Sequence, residues 1–290
     1  MNRREFGRLA GAAAVARGLV GGRVAAAAEP AVLLSVMLWT LEKLTPFDRC
    51  VEMVAAAGYQ GVELVGEFQS WSAAETAEKL ARMTALGLRV DAMSGVKAGF
   101  AVPAERESFF TQFAAQMAAA KALQCRRIIL LSGPRVAAMS AEAQFAAAVE
   151  TLQRAGEMAA KNGLEIVIEP IDALENPTIY LTSVTTAFAM VRAVGNSAVR
   201  VLYDFYHEQR GAGNLLEKLD GNIELVGLVH VADVPGRHEP GSGEIDYANV
   251  YRRLAALKYR GFVAMEFYPQ GDAVAALRKA AGEVRAAFAG

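Results

Sequence analysis

The segment Leu164-Glu-Ile-Val-Ile-Glu-Pro170 shows the pattern that organises this chain: a short run of Ile and Val that ends in a carboxylate and a proline. Similar apolar runs recur after residue 30, each followed by a turn and a longer helical stretch. Near-continuous Val, Ile and Leu is typical of parallel strands that are covered on both faces. We predict eight strands, at Leu33–Leu38, Gly61–Val65, Leu88–Ser94, Arg127–Ser132, Leu164–Glu169, Val199–Asp204, Leu225–Val231 and Phe262–Phe267.

Helical periodicity separates the predicted strands. In residues 46–57 the apolar side chains recur at the spacing of one helix face, and Gly58 can end the helix. Eight strand–helix units predict the α/β class and a single (β/α)8 TIM barrel over residues 31–290. The other predicted helices lie at 72–86, 105–123, 140–161, 183–194, 247–257 and 272–288, with a short sixth helix around 213–220.

The composition excludes several classes of protein. Lys and Arg number 30 against 31 Asp and Glu, so the chain has no basic excess with which to bind a nucleic acid. The two cysteines, Cys50 and Cys125, cannot build a disulfide framework and are expected to be buried. An open doubly wound sheet is the alternative fold, but the glycine-rich dinucleotide motif that often follows an early strand in such sheets is absent.

Residues 1–30 differ from the rest of the chain. A charged start with Arg3 and Arg4, an apolar run of small residues and an Ala-rich end follow in the order of an export signal. The paired arginines resemble the twin-arginine type. We therefore expect a periplasmic or exported protein that meets the membrane only during export. Arg17 and Arg23 interrupt the apolar run, and the alternative is a disordered extension on a cytoplasmic protein.

Four acidic or imidazole residues fall at the ends of four consecutive predicted strands. They are Glu169, Asp204, His230 and Glu266, from strands five to eight. Because the carboxyl ends of barrel strands meet at one opening, we expect these side chains to converge. An oxygen-rich site with one imidazole suits Mn²⁺, Mg²⁺ or Co²⁺. Each residue alone could instead cap a helix or form a salt bridge.

Residues after the sixth and seventh strands are candidates for binding a substrate. His207 follows the sixth strand and either donates a hydrogen bond to substrate or is a solvated loop residue. The segment 233–246 is too rich in Pro and Gly to be regular. Its Arg237 and His238 are predicted to bind an anionic or polyol substrate. The alternative is an ordered loop with exposed charges.

Two carboxylates and two tryptophans lie near the first two predicted strands. Glu63 and Glu67 are expected to make structural bonds. Trp39 and Trp71 could wall the pocket or be ordinary packing residues, and the sequence pattern does not separate these roles.

Three motifs lie at or after the fifth, sixth and seventh predicted strands. They are Ile168-Glu-Pro-Ile171, Tyr203-Asp-Phe-Tyr-His207 and, most specifically, Ala232-Asp-Val-Pro-Gly-Arg-His-Glu-Pro-Gly241 with Gly243-Glu-Ile245. On these motifs the chain resembles the hydroxypyruvate isomerase family, within the xylose-isomerase-like TIM-barrel superfamily, over residues 31–288. The resemblance implies that the four strand-end residues bind a divalent metal. It also implies that Glu169 and Glu266 act as acid–base groups on opposite sides of the substrate.

This resemblance predicts a metal-dependent isomerase of the aldose–ketose type, which would convert hydroxypyruvate to tartronate semialdehyde through an enediolate. A ketose 3-epimerase that acts on free sugars is one alternative. A non-catalytic exported sugar-binding protein is another, from a different class. The expected partner is a small hydroxycarbonyl or sugar substrate and not a nucleic acid, and a homo-oligomer is compatible with the sequence.

Overall fold

Eight parallel strands close into a barrel within residues 32–290, the part of the chain that the computed structural model describes. The predicted export signal at residues 1–30 lies outside the described residues. Each strand pairs with its sequence neighbours, and β1 pairs with β8 to close the ring. The strands are β1 Leu33–Met37, β2 Gly61–Val65, β3 Arg89–Ser94, β4 Arg127–Leu131, β5 Glu165–Glu169, β6 Val199–Asp204, β7 Val226–Val231 and β8 Phe262–Met265.

Helices connect the strands and cover the outside of the barrel. None of the helices in the described range has both the length and the apolar character needed to cross a membrane. They are α1 Trp39–Glu42, α2 Phe47–Ala56, α3 Ala73–Ala85, α4 Arg106–Ala122, α5 Ala141–Lys161, α6 Val184–Val194, α7 Phe205–Gly211, α8 Tyr247–Ala256 and α9 Ala273–Ala289.

The predicted single (β/α)8 barrel is confirmed, but its sixth helix is not where the sequence pattern placed it. All eight predicted strands are present, with ends that differ by no more than two residues. The helix predicted around 213–220 is wrong, since that stretch holds only a 3-10 turn at Glu217–Leu219. The helix is α7, which starts directly after β6 because Asp204 Oδ1 accepts a hydrogen bond from the backbone N–H of Tyr206 at 2.8 Å.

The interior of the barrel is apolar in the middle and polar at both ends. Side chains alternate along a strand, so Glu165, Val167 and Glu169 of β5 share the inward face at three successive levels. At the amino-terminal end, Glu165 accepts from both Arg127 and Arg200 at 3.2 Å. On the β5 side of the barrel, an apolar layer therefore separates the Glu165 ion pairs from the opposite opening. The layer contains Met37, Ala92, Ile129, Val167, Leu202, Leu228, Phe262 and Ala264.

Glu67, just after β2, is a largely buried carboxylate with incomplete hydrogen bonding. Its Oε2 accepts from the backbone N–H of Val65 at 2.7 Å, whereas its buried Oε1 has no partner among the described residues. Burial raises the pKa of this carboxyl to about 7. Glu67 therefore favours folding most when it is protonated. This contribution is full below the unfolded value of 4.5 and is lost as the pH rises through about 7.

We expect Glu67→Gln to gain stability relative to the parent protein as the pH rises from 4 to 8. The gain should be about 1–2 kcal/mol, because the variant avoids burying a charge. Urea unfolding at several pH values measures the difference in free energy of unfolding. A difference that stays constant across this range would contradict the assignment.

Candidate metal centre and active site

The four predicted strand-end residues converge at the carboxyl-terminal opening of the barrel. Glu169, Asp204, His230 and Glu266 each offer one ligand atom, and these atoms all lie within 4.8 Å of one another. All four residues are buried. Strand geometry explains the convergence, because β5 to β8 are hydrogen-bonded neighbours and each presents its last inward-facing residue to the same space.

The donor set fits a divalent cation. Three buried carboxylates repel one another, and a cation between them would offset both this repulsion and their loss of hydration. Three oxygen donors and one imidazole nitrogen are ligands that Mn²⁺, Mg²⁺ and Co²⁺ accept. The residues that would hold the ion are Glu169, Asp204, His230 and Glu266.

The two glutamates of this cluster have different environments. Burial raises the pKa of Glu169 to about 7, and the nearby Glu266 acts in the same direction. Burial also disfavours ionisation of Glu266, but Arg237 and His230 outweigh it and hold the pKa of Glu266 well below its usual range. Two carboxyls with pKa values pushed apart are typical of acid–base pairs.

Asp204 has two structural tasks. Its Oδ1 caps α7, and its Oδ2 faces the site at 2.8 Å from Arg237 Nη2 and 3.5 Å from His207 Nε2. The helix cap and the strand-end ligand were alternatives in the sequence, yet one carboxylate has the geometry for both. Capping also holds the second oxygen in a defined direction, toward the cluster.

His207 faces the same site from the first turn of α7. It is buried, so the alternative of a solvated loop residue is wrong. Its Nδ1 lies 2.7 Å from Asp172 Oδ2, and its Nε2 lies 3.9 Å from Glu169 Oε1. Burial would lower the pKa of His207, but Asp204 and Asp172 raise it. Asp172 orients the imidazole of His207. The sequence analysis did not identify Asp172, because no local pattern marks it as the partner of His207.

Arg237 lies inside the site, and His238 lies at its edge. Arg237 is buried, so the alternative of an ordered loop with exposed charges is wrong for this residue. Its Nη2 donates to Asp204 at 2.8 Å and also to Glu266, and its Nη1 lies 3.1 Å from His207 Nε2. The half-buried His238 places Nδ1 2.8 Å from the carbonyl oxygen of Tyr268. Binding of substrate by these two residues stays a prediction.

A single aspartate organises the loop that carries Arg237. The fully buried Asp233 accepts hydrogen bonds at 2.9–3.0 Å from four backbone N–H groups of this loop. Gly243, one of the four donors, packs so closely on the Val234 backbone that a Cβ would collide with it. The irregular 233–246 loop is therefore rigidly built. The four donors belong to Val234, Gly241, Gly243 and Ile245.

The two tryptophans have different roles. Trp39 donates from Nε1 to Glu266 Oε1 at 2.7 Å and meets the Tyr268 ring edge-on at 5.3 Å, so it forms a wall of the site. Lys43 Nζ lies 4.7 Å from the centre of the Trp39 ring. Trp71 instead packs against Phe47 of α2 at 5.2 Å, which is ordinary packing.

Glu63 is the site residue that sequence reasoning undervalued. It is completely buried on β2, and its Oε2 lies 2.9 Å from His230 Nε2. The other ring nitrogen of His230, Nδ1, lies 2.7 Å from Glu266 Oε2. Burial alone would lower the pKa of His230, but these two glutamates raise it well above its usual value. A glutamate in the middle of an apolar strand was the available signal.

Comparison with known proteins agrees with this fold. The sequence model of the family described as "Xylose isomerase-like TIM barrel" matches residues 51–286. Hydroxypyruvate isomerase of Escherichia coli K12 is 31% identical over 252 residues, covering 84% of this chain and 95% of that protein. A 2-oxo-tetronate isomerase of Cupriavidus necator is 28% identical over 231 residues, covering 77% and 87%.

A solved structure supports the fold independently. The crystal structure of a family 2 AP endonuclease from Brucella melitensis matches with a TM-score of 0.78. The match covers 87% of this chain and 98% of that one, at 24% sequence identity. A likeness at this identity supports the fold alone. By the family model and the E. coli relative together, the chain belongs to the xylose isomerase-like TIM barrel family and, within it, to the hydroxypyruvate isomerase family of enzymes.

Proposed function

We propose that this protein is a metal-dependent isomerase of a small hydroxy-keto acid, with hydroxypyruvate and tartronate semialdehyde as the interconverted pair. The observation that carries the proposal is the convergence of Glu169 and Glu266 with Asp204 and His230 in one buried site. The names of the relatives support a hydroxy-keto acid as substrate. Arg237 within the site and Lys43 beside Trp39 provide positive charge for a substrate carboxylate.

The reaction moves one carbon-bound proton. One glutamate removes a proton from the hydroxymethyl carbon of hydroxypyruvate, and the electron pair forms the enediolate. Return of a proton to the neighbouring carbon, by the same glutamate or by the other one, together with transfer of the O3 hydroxyl proton to O2, gives the aldehyde. Glu169, Asp204, His230 and Glu266 would hold a divalent cation, which when bound would supply Lewis-acid stabilisation of the negative charge on the substrate oxygens.

Other side chains position the substrate and exclude water. His207, oriented by Asp172, presents Nε2 to the site and is placed to hydrogen-bond a substrate oxygen. Trp39 covers Glu266 and limits solvent access to its carboxylate. Arg237 pairs with Glu266 and Asp204. It therefore connects the 233–246 loop to the proposed acid–base group, Glu266, and to the cap of α7, Asp204.

An NMR assay in D₂O tests the proposal. The protein loaded with Mg²⁺ is incubated with hydroxypyruvate, with 2-oxo-tetronate and with a panel of free ketoses. Deuterium uptake together with formation of the isomeric hydroxy-aldehyde from an acid supports the proposal. Inversion at C3 of a free ketose would favour the epimerase instead. Binding of sugar without any exchange would favour the non-catalytic binding protein.

We also propose that residues 1–30 direct export by the twin-arginine route. The proposal rests on Arg3, Arg4 and the apolar and Ala-rich segments that follow them. Replacing both arginines with lysine is expected to keep the protein in the cytoplasm of a bacterial host. Cell fractionation measures this, and equal periplasmic amounts of the two forms would contradict the proposal.

A further inference from the structure

Glu63 contacts His230, one of the four proposed metal ligands, at the ring nitrogen that faces away from the cluster. His230 belongs to β7 and Glu63 to β2, three strands away around the closed barrel, and 167 positions separate them in the chain. The carboxylate meets His230 Nε2 at 2.9 Å, and both side chains are fully buried.

The two nitrogens of His230 face different groups. Nδ1 points into the cluster, at 2.7 Å from Glu266 Oε2 and 4.0 Å from Glu169 Oε1. A ring nitrogen binds a cation through its lone pair, so Nδ1 must carry no proton when it is a ligand. The proton then sits on Nε2, where Glu63 Oε2 is the acceptor.

We propose that Glu63 is a positioning residue that keeps His230 in the Nε2–H tautomer and holds its Nδ1 toward the cation, which increases the affinity of the site for metal. This inference rests on the metal site of the proposed function. An anionic acceptor also makes the imidazole a stronger ligand, because negative charge on Glu63 increases the electron density at the opposite nitrogen.

Contacts on the far side of Glu63 hold it in place. Ser35 Oγ lies 3.3 Å from Glu63 Oε1 and 3.0 Å from Asp91 Oδ2. Asp91 in turn pairs with Arg127 near the amino-terminal end of the barrel. A polar chain therefore runs through the apolar layer and ends on the candidate ligand.

The experiment measures metal affinity without substrate, by calorimetric titration with Mn²⁺. Glu63→Leu removes the acceptor but keeps a side chain of similar size, and is expected to weaken binding by roughly 10- to 100-fold. Glu63→Gln retains an oxygen acceptor for Nε2–H and is expected to recover most of this loss. Ser35→Ala leaves the Glu63–His230 contact intact and should change the affinity less than Glu63→Leu does.

A second readout follows the imidazole directly. The chain has three histidines, so ¹⁵N-histidine spectra of the Mg²⁺-loaded protein are simple to assign with His207→Gln and His238→Gln variants. The parent protein and Glu63→Gln should show the Nε2–H proton of His230 shifted downfield by its hydrogen bond to an oxygen acceptor, whereas Glu63→Leu should lose this shift. An unchanged Nε2–H shift in Glu63→Leu would overturn the proposal.

Glu208→Gln is the matched control for loss of a buried carboxylate. Glu208 is as buried as the site residues, but it accepts from the backbone N–H of Val184 at 2.9 Å and pairs with Lys218. The Glu208→Gln variant should have a lower melting temperature but an unchanged affinity for metal. If Glu208→Gln and Glu63→Leu lose equal affinity for metal, Glu63 has only a structural role and the proposal is wrong. Failure of the parent protein to bind metal would instead contradict the proposed function itself.

Discussion

Exchanging Glu169 and Glu266 together for glutamine is expected to lower kcat for hydroxypyruvate by about 10⁴-fold, the upper range of acid–base catalysis. Glutamine keeps the size of the side chain and one oxygen donor, but it cannot accept a proton at neutral pH. The two carboxyls also differ, since the pKa of Glu169 is raised to about 7 and that of Glu266 is lowered. The D₂O assay measures the loss as carbon-bound exchange and as product formation.

Fold and metal binding must be measured in the same variants. Circular dichroism and Mn²⁺ titration separate a loss of chemistry from a loss of structure or of the ion. Glu208→Gln again serves as the control, because it removes a buried carboxylate outside the cluster and should retain turnover. A double variant that still exchanges the substrate proton would rule out the acid–base scheme while leaving the fold assignment intact.

Asp233→Ala is expected to cause the largest loss of stability, about 2–4 kcal/mol. Four backbone N–H groups would lose their acceptor, and a buried unsatisfied donor costs about 1–3 kcal/mol. Only the bond to Ile245 is fully buried, so the three partly buried donors should each contribute less. Asp233→Asn retains one oxygen and turns an NH₂ group toward two of the four donors, so an intermediate loss is expected. Urea unfolding measures both variants.

The Asp233 variants should also lose activity, although Asp233 contacts none of the four clustered residues within the described range. The loop it holds carries Arg237, which pairs with Asp204 and Glu266. Activity and stability should therefore fall together, with Asp233→Asn between the parent protein and Asp233→Ala. A variant that unfolds like the parent protein but has no activity would show that Asp233 acts in the chemistry instead.

The position of the candidate cluster could be read from the sequence because it depends on topology and not on detailed packing. Runs of Val, Ile and Leu separated by helical stretches indicate parallel strands, and parallel strands in a closed barrel bring their carboxyl ends to one opening. Glu169, Asp204, His230 and Glu266 each end such a run, so their convergence followed from strand order alone.

The partners of these residues were decided only by the tertiary structure. The contacts of Glu63 with His230, and of Asp172 with His207, join side chains far apart in the chain, and no local periodicity encodes them. The early start of α7 depends on which oxygen of Asp204 turns back to the backbone. Strand patterns determine which face a side chain occupies, whereas closure and register of the barrel determine which groups it meets across the interior. The amino-acid sequence alone therefore indicated the (β/α)8 fold and the four converging groups, and the folded chain decided what orients them.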